Sequence, residues 1–479
     1  MTSRPIAANI RGLTFGLAVL FLVASLGVGY WTLVAGDELA SDPFNPRLVA
    51  ALRDRPRGAI VDSSGATLAE SARTAEGYKR VYRDRTLAHV TGYASFQYGA
   101  AGAEAAYAES LTGQDRGDPV AQWRARYLRE REPPGSIVLG IDPRVQKAAV
   151  DALAGRRGAI VALDPRTGTI LASVSNPNYD PNQIADPATE NVAWKQVSEN
   201  NDRPLINRAT QGLYAPGSTF KIITGAAALE SGFDPNQKVR VDDPWQADKS
   251  WGQYFVRSSS RAHGDYTMAD AYRLSENIYF AKVGLQIGGQ KIAEYAQRFG
   301  IGSSTKCDLA AAKGQLSRSG ALDRPTLIAD TAYGQGELFV SPLQMALVAA
   351  TVGMGGVMPT PHYATDVRDA AGHSLRVVAP GPQGQVIRPE TAKALTVMLV
   401  NAVEGPGAFA FAARIPGVHV AGKTGSAENP AGPPHGWFVG FAPAEAPVIA
   451  VAIVLENTPR GSEDAAPLSP AVMRAALRL

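Results

Sequence analysis

Ser218 and Lys221 stand three residues apart in the segment Tyr214-Ala215-Pro216-Gly217-Ser218-Thr219-Phe220-Lys221. Pro216 and Gly217 break what precedes them, and the run from Phe220 to Leu229 is rich in helix formers, so the serine falls at a helix start. Positions i and i+3 share a helix face, which brings the Lys221 amine to the Ser218 hydroxyl. A serine hydroxyl is a weak nucleophile until a neighbouring base removes its proton, and a desolvated neutral lysine is such a base. Taken alone the pair is a weak signal, because serine before a helix is commonly just a cap.

Two triplets further along strengthen it, Ser275-Glu276-Asn277 and Lys423-Thr424-Gly425. Ser275 is of a type to relay a proton between Lys221 and a leaving amine, and the Asn277 amide to hold a substrate backbone. Glu276 fills a tolerant middle position. Lys423 offers positive charge to a substrate carboxylate. Thr424, Gly425 and Ser426 form a substrate-binding edge at the end of an apolar strand, where the glycine lets a substrate strand lie close. The backbone N–H groups of Ser218 and Ser426 are a candidate oxyanion hole. Each piece has an ordinary reading: a capped helix, a satisfied buried amide, a strand ending in a turn. Their joint occurrence in this order is the specific signal.

These residues need a scaffold, and 479 residues suffice for about two or three domains. A composition of 45% hydrophobic and 19% charged residues is that of a globular protein and excludes a disordered tail or a polytopic membrane protein. A net charge of +3 is too balanced for a nucleic-acid binder, so no nucleic-acid partner is expected. A single cysteine, Cys307, excludes an internal disulfide framework and a Cys-rich zinc site. With no His-Glu-x-x-His run and no Gly-rich phosphate loop, neither a metal nor an organic cofactor is signalled.

From Gly12 to Gly36 there is no charged side chain, and Leu13 to Val34 is almost wholly apolar. About 20 such residues span a bilayer as a helix. Arg4 and Arg11 precede the run and Asp37 and Glu38 follow it, which puts the N-terminus in the cytoplasm and the rest outside. Tyr30 and Trp31 fall near the outer end, where amphipathic rings favour the interface. The competing reading, a cleaved signal peptide, usually has a shorter apolar core of about 7–15 residues. A mean hydropathy of −0.10 and the lack of a second such run make this a single pass.

Asn45 to Pro134 is arginine-rich and broken by Gly and Pro, with Arg47, Arg53, Arg55 and Arg57 clustered just beyond the apolar run. Such a cluster is usually a solvated face; the alternative is contact with anionic headgroups or a partner. Ala59 to Val61 reads as a strand into the Asp62-Ser63-Ser64-Gly65 turn, and Ala103–Leu111 and Val120–Arg131 as helices. The Glu132-Pro133-Pro134-Gly135 break is a candidate domain boundary. Beyond it, Ala159–Leu163 and Thr169–Ser175 flank a turn as a hairpin, and Val418–Thr424, Gly436–Phe441 and Val448–Glu456 read as three more strands. Phe220 to Leu347 is mostly helical, and a closing helix runs from Ser469 to Leu479. Strands from both ends must pair into one sheet with the helical middle packed on it, an α+β architecture.

With these pieces in place, the sequence resembles a class B penicillin-binding protein, the monofunctional D,D-transpeptidase of peptidoglycan synthesis, over nearly its whole length. Arg57-Gly58-Ala59-Ile60-Val61-Asp62 with Gly65 resembles the first motif of that family's N-terminal module. Ile141-Asp142-Pro143, Asn207-Arg208-Ala209, Tyr333-Gly334-Gln335-Gly336 and Trp437-Phe438-Val439-Gly440 sit where the family has similar blocks. The short N-terminal module and the Arg-rich style are most similar to the actinobacterial penicillin-binding protein A group, linked to cell division. The resemblance implies a penicillin-binding transpeptidase fold, an antiparallel sheet packed by helices, with a cytoplasmic tail at 1–12, an anchor at 13–34, a non-catalytic, dimerisation-type pedestal at 45–134 and a transpeptidase domain at 135–479. It implies stem peptides and β-lactams as ligands, Ser218 as the acylated residue, the plasma membrane as location, and a polytopic lipid-linked glycan polymerase and divisome proteins as partners.

A β-lactamase or D,D-carboxypeptidase shares the motifs but passes the acyl group to water, and the anchor and pedestal argue against a β-lactamase. A membrane-anchored β-lactam sensor shares the acylation site, and a non-catalytic scaffold would not need all the motifs intact. Removing residues 1–36 is expected to give a soluble protein that still labels covalently with penicillin, since the anchor carries no catalytic group. Unaggregated protein remaining in the membrane pellet would overturn the single-anchor reading.

Overall fold

The computed structural model describes residues 6–33, 55–75, 77–113, 133–260, 263–378, 381–429 and 432–479. The first of these stretches is one helix, Ile6–Leu33, apolar on every side, and none of Ala8–Trp31 is buried against the rest of the protein. Among the described residues it is the one helix long and apolar enough to cross a membrane. Arg47, Arg53 and the helix expected at Val120–Arg131 lie outside the described residues.

Five strands make the central sheet, entirely antiparallel, in the order Ala421–Asn429, Gly432–Ala442, Ile449–Leu455, Gly158–Leu163, Ile170–Asn176. The α+β expectation therefore holds, with strands from the two ends of the catalytic part meeting at Ile449–Leu455 beside Gly158–Leu163. Successive strand residues point to opposite faces. Ala159, Val161 and Leu163 join one core and Ile160 and Ala162 the other. Both faces are covered, which is why these strands read as unbroken apolar runs. Pro143–Leu153 and Ser469–Leu477 pack on one face, and Pro342–Gly353 crosses the other. That last helix is buried along nearly its whole length and starts from a capping box in which Ser341 and Gln344 satisfy each other's backbone N–H.

A helical lobe sits beside the sheet. Lys221–Glu230 packs on Asn277–Ile287, which packs in turn on Pro325–Ala332. The expected strand Val418–Thr424 is displaced: it begins at Ala421 and continues to Asn429. Lys423, Thr424 and Gly425 are thus mid-strand, paired with Val439, Phe438 and Trp437, and not at a strand end. The ladder is made by backbone groups, so it runs on through polar residues where apolar patterning stops.

The N-terminal module is built on a second sheet of six strands, in the order Ser374–Val377, Ala364–Arg368, Ser136–Leu139, Ile60–Val61, Thr67–Thr74, Gly77–Tyr82. Ile60–Val61 pairs parallel with Ser136–Leu139, a strand that follows the Pro133-Pro134 break, and two strands come from far along the chain. The expected helix Ala103–Leu111 is two short ones, Gly102–Ala106 and Ala108–Leu111, broken at Tyr107.

Glu104 on the first of these is fully buried and takes charged hydrogen bonds from Arg80 (2.5 Å) and Arg57 (2.8 Å) and a phenolic one from Tyr82 (3.2 Å). Arg57, read from the sequence as part of an exposed cluster, is therefore turned inward, whereas Arg55 is exposed. Removing one member of a buried ion network leaves the others charged and unpaired. Glu104→Ala is expected to cost about 3–5 kcal/mol, seen as a lowered denaturation midpoint of the module. An unchanged midpoint would mean that solvent already satisfies both guanidinium groups.

Candidate active site

Gly217–Phe220 forms a single 3₁₀ turn that runs directly into the helix Lys221–Glu230. Side chains at i and i+3 eclipse in a 3₁₀ turn. This local winding aligns Ser218 with Lys221, and the Lys221 Nζ donates to Ser218 Oγ at 2.9 Å. Gly217 takes φ +54°, and a Cβ there would lie 2.7 Å from the Ser426 carbonyl oxygen. The serine turn and the strand Ala421–Asn429 therefore touch backbone to backbone, with Ser218 and Ser426 on the two sides of that contact. The turn is also tied from behind: Trp437 Nε1 donates to the Ala215 carbonyl at 2.9 Å, and Thr219 to that of Pro216 at 2.8 Å.

Ser275 adopts φ +56°, a left-handed conformation that costs a non-glycine residue energy and that the surrounding contacts must hold. The turn it makes presents its carbonyl to Lys221 Nζ at 2.6 Å and its hydroxyl to Lys423 Nζ at 2.8 Å. Asn277 Oδ1 accepts from Lys221 Nζ at 2.7 Å, while Asn277 Nδ2 donates to the Arg257 carbonyl at 3.1 Å. The lysine thus has three oxygen partners, one of them the Ser218 hydroxyl. Burial pushes the Lys221 ammonium far below its usual range, and the charge of nearby Lys423 adds to the effect. Burial likewise lowers Lys423, to about 7.

The sequence expectations meet this geometry unevenly. Ser218, Lys221, Ser275, Asn277 and Lys423 come together. Asn277 turns its amide oxygen to Lys221, leaving only its NH₂ side toward a substrate. Lys423 is almost fully buried and also donates to the Thr424 carbonyl, so its charge reaches the open site through Ser275. Gly425 was expected to make room for a substrate strand. Its missing Cβ instead makes room for the serine turn: a Cβ would stand 2.8 Å from Pro216 O and 3.0 Å from Thr219 Cγ2. Thr424, Gly425 and Ser426 do border the groove that holds Ser218, a cleft of about 1090 Å³.

Several residues had no signal in the sequence. Glu276, read as filler, is fully buried, caps Asn277–Ile287 through the Ile278 N–H at 3.0 Å, and accepts from Ser258 Oγ at 2.6 Å. Ser259 donates to the Ser275 carbonyl at 2.8 Å. These serines come from a loop that nothing local connects to the second triplet. Tyr254, Asp330 and Tyr333 line the groove as one hydrogen-bonded group, of which the sequence marks only Tyr333, at the head of its Tyr-Gly-Gln-Gly block. His435 borders the same groove, accepts the Asn457 N–H at 3.2 Å and stands edge-on to Tyr214. Among the described residues no group of acidic, His or Cys side chains is arranged to hold a metal.

A serine on a 3₁₀ turn, a buried lysine hydrogen-bonded to it and an antiparallel edge strand beside them are the arrangement of a serine acyltransferase. A model of the penicillin binding protein transpeptidase domain matches residues 158–475, and one of the penicillin binding protein A dimerisation domain matches 57–138. The peptidoglycan D,D-transpeptidase PbpA of Mycobacterium tuberculosis is 32% identical, with 98% of this chain and 99% of that protein aligned. Solved structures of penicillin-binding protein A from M. tuberculosis superpose as a ceftriaxone acyl-enzyme (TM-score 0.82, 30% identity, 89% of this chain and 100% of that one) and a penicillin G acyl-enzyme (TM-score 0.79, 33% identity, 88% and 100%). The chain belongs to the penicillin-binding protein transpeptidase family.

The two lysines predict a pH profile for acylation of Ser218 by an electrophilic acyl donor. The rate should rise along an acidic limb as Lys221 loses its proton and fall above about 7 as Lys423 loses its own. Lys423→Ala removes a like charge, so it should move the acidic limb to higher pH. An acidic limb that stays in place in that variant would show that the lysines do not share their charge.

Proposed function

We propose that this protein is a peptidoglycan D,D-transpeptidase whose acyl-enzyme forms on Ser218. The observation that carries the reading is the buried Lys221 amine at 2.9 Å from Ser218 Oγ, with Lys423 at 2.8 Å from the Ser275 hydroxyl beside it. Neutral Lys221 takes the Ser218 proton as Oγ attacks the carbonyl between the two terminal D-alanines of a donor stem peptide. The oxyanion of the tetrahedral intermediate faces the N–H groups of Ser218 and Ser426. Ser275, polarised by Lys423, passes the proton from Lys221 to the departing amine, and D-Ala leaves. An amine of a neighbouring stem then attacks the ester, the same relay runs in reverse, and the new amide is the cross-link. A β-lactam follows the first half of this path and stays on Ser218, as in the acyl-enzymes of the M. tuberculosis relative.

The helix Ile6–Leu33 anchors the chain as a single pass, with the N-terminus cytoplasmic and the catalytic domain outside. The division at residues 45–134 and 135–479 serves as a functional one, although the pedestal's sheet borrows strands from both parts. The pedestal sets the height of the site above the bilayer and offers a face to a polytopic lipid-linked glycan polymerase and other division proteins. Arg55 and Arg73 are exposed and make no ion pair among the described residues, which suits them to such a face.

Ser218→Ala should abolish covalent penicillin labelling of a folded protein, read by mass spectrometry. Label persisting on the folded variant would overturn the assignment. Following product from a D-Ala-D-Ala donor with and without an added amine separates transpeptidase from carboxypeptidase; exclusive hydrolysis would select the latter. Arg55→Glu with Arg73→Glu should leave penicillin labelling intact while co-purification with the polymerase and growth complementation are lost. Full complementation would reduce the pedestal to a spacer.

A further inference from the structure

Buried acids elsewhere in this protein have evident partners. Glu104 is clasped by Arg57 and Arg80, Glu456 by Arg157 and Arg208, and Glu276 caps a helix under a serine. Asp330 is different. It lies near the end of the helix Pro325–Ala332, in the wall of the groove that holds Ser218, and makes no ion pair among the described residues. Its Oδ1 accepts hydrogen bonds from the hydroxyls of Tyr254 and Tyr333, which stand 3.1 Å from each other. The aspartate is thereby held in one orientation from two separate elements.

The second oxygen, Oδ2, accepts no hydrogen bond from the described residues, and the half-buried Asp330 side chain borders the groove. Beside it is Gly336 at φ +81°, where even a Cβ would stand 3.2 Å from Asp330 Cβ and 4.0 Å from Oδ2. A residue without a side chain leaves that approach clear. Burial pushes the Asp330 carboxyl above its ordinary range while the two tyrosine hydroxyls pull it back, the condition of a carboxylate short of a counter-charge. The positive groups bordering the groove, Arg257 and Arg318, are not paired with it. Asp330 and Ser218 line the same groove, and the helix bearing Asp330 leads into Gly334, whose carbonyl accepts the Gly217 N–H at 2.9 Å, next to Ser218.

We propose that Asp330, held by Tyr254 and Tyr333, is a subsite for a primary ammonium group of the stem peptide. The inference rests on the transpeptidase reading and names which feature of that substrate the groove selects. The contact is a charge-assisted N–H···O bond to Oδ2, stronger than a neutral one because both partners are ionised. A stem peptide can offer this chemistry in two ways, as a free side-chain amine on the donor or as the amine of the acceptor.

The test uses the full chain in detergent, with two thioester donors ending in D-Ala, one carrying a free side-chain amine and the other the same amine acetylated. The unaltered protein should be acylated about tenfold faster by the free amine, and Asp330→Asn should bring the ratio close to one, with Asp330→Glu restoring part of it. If the subsite serves the acceptor, the donor ratio is near one throughout, and Asp330→Asn raises the acceptor concentration for half-maximal transfer about tenfold. A purely structural aspartate would slow both donors together, keep their ratio, and leave the acceptor requirement unchanged; that result overturns the proposal. Failure of penicillin to label Ser218 in the unaltered protein would instead overturn the transpeptidase reading, and the subsite with it.

Discussion

The desolvation of one amine organises this active site. A lysine in water holds its proton through neutral pH and is useless as a base; enclosure and a second buried lysine nearby weaken that hold strongly at Lys221. Burying an amine leaves its hydrogen-bonding capacity to be met from inside, and here it is met by Ser218, the Ser275 carbonyl and Asn277. These oxygens aim the amine and also favour its proton, so it is enclosure and the charge of Lys423 that weaken its hold. Glu276, buried on the reverse side of the same turn, moderates the effect: its negative charge favours the protonated lysine, so burial and Lys423 must outweigh it.

Enclosing that amine requires three elements far apart in the chain to meet without gaps. The serine turn and the strand Ala421–Asn429 come into contact where ordinary side chains would not fit, at Gly217 and Gly425, and the Ser275-Glu276-Asn277 turn joins them through its hydrogen bonds to Lys221 and Lys423. The strained φ of Ser275 belongs to the same requirement, since it lets one residue give its carbonyl to one lysine and its hydroxyl to the other. The rigid support is the two-faced core of the central sheet, with Trp437 on the neighbouring strand reaching through to the turn that bears the nucleophile.

The pedestal follows a different logic. A polar centre, Glu104 between two arginines, is set beside an apolar one formed by Ile60, Leu68, Leu111, Ile137 and Leu139. The sheet is completed by Ala364–Arg368 and Ser374–Val377, strands that leave the catalytic part and return to it. The two parts are thus joined through a shared hydrogen-bonded sheet, which fixes the catalytic groove relative to the module nearest the apolar helix.

By itself the sequence picked out Ser218, Lys221 and the two triplets that the fold brings beside them, the apolar N-terminal helix and the five strands of the central sheet. All of these rest on local spacing or on runs of apolar residues, which physics couples to structure at short range: an i, i+3 pair meets whatever surrounds it, and a strand buried on both faces must be apolar throughout. Only the tertiary structure decided which way each polar group faces. That Asn277 turns its oxygen to Lys221, that Lys423 acts from behind Ser275, that Arg57 points inward, and that Gly425 clears space for the serine turn all depend on neighbours tens to hundreds of residues away. The continuation of the strand past Gly425 and the two late strands of the pedestal were hidden for the same reason. Backbone pairing satisfies N–H and C=O groups regardless of side chain, so it leaves no periodic mark on the residues it joins.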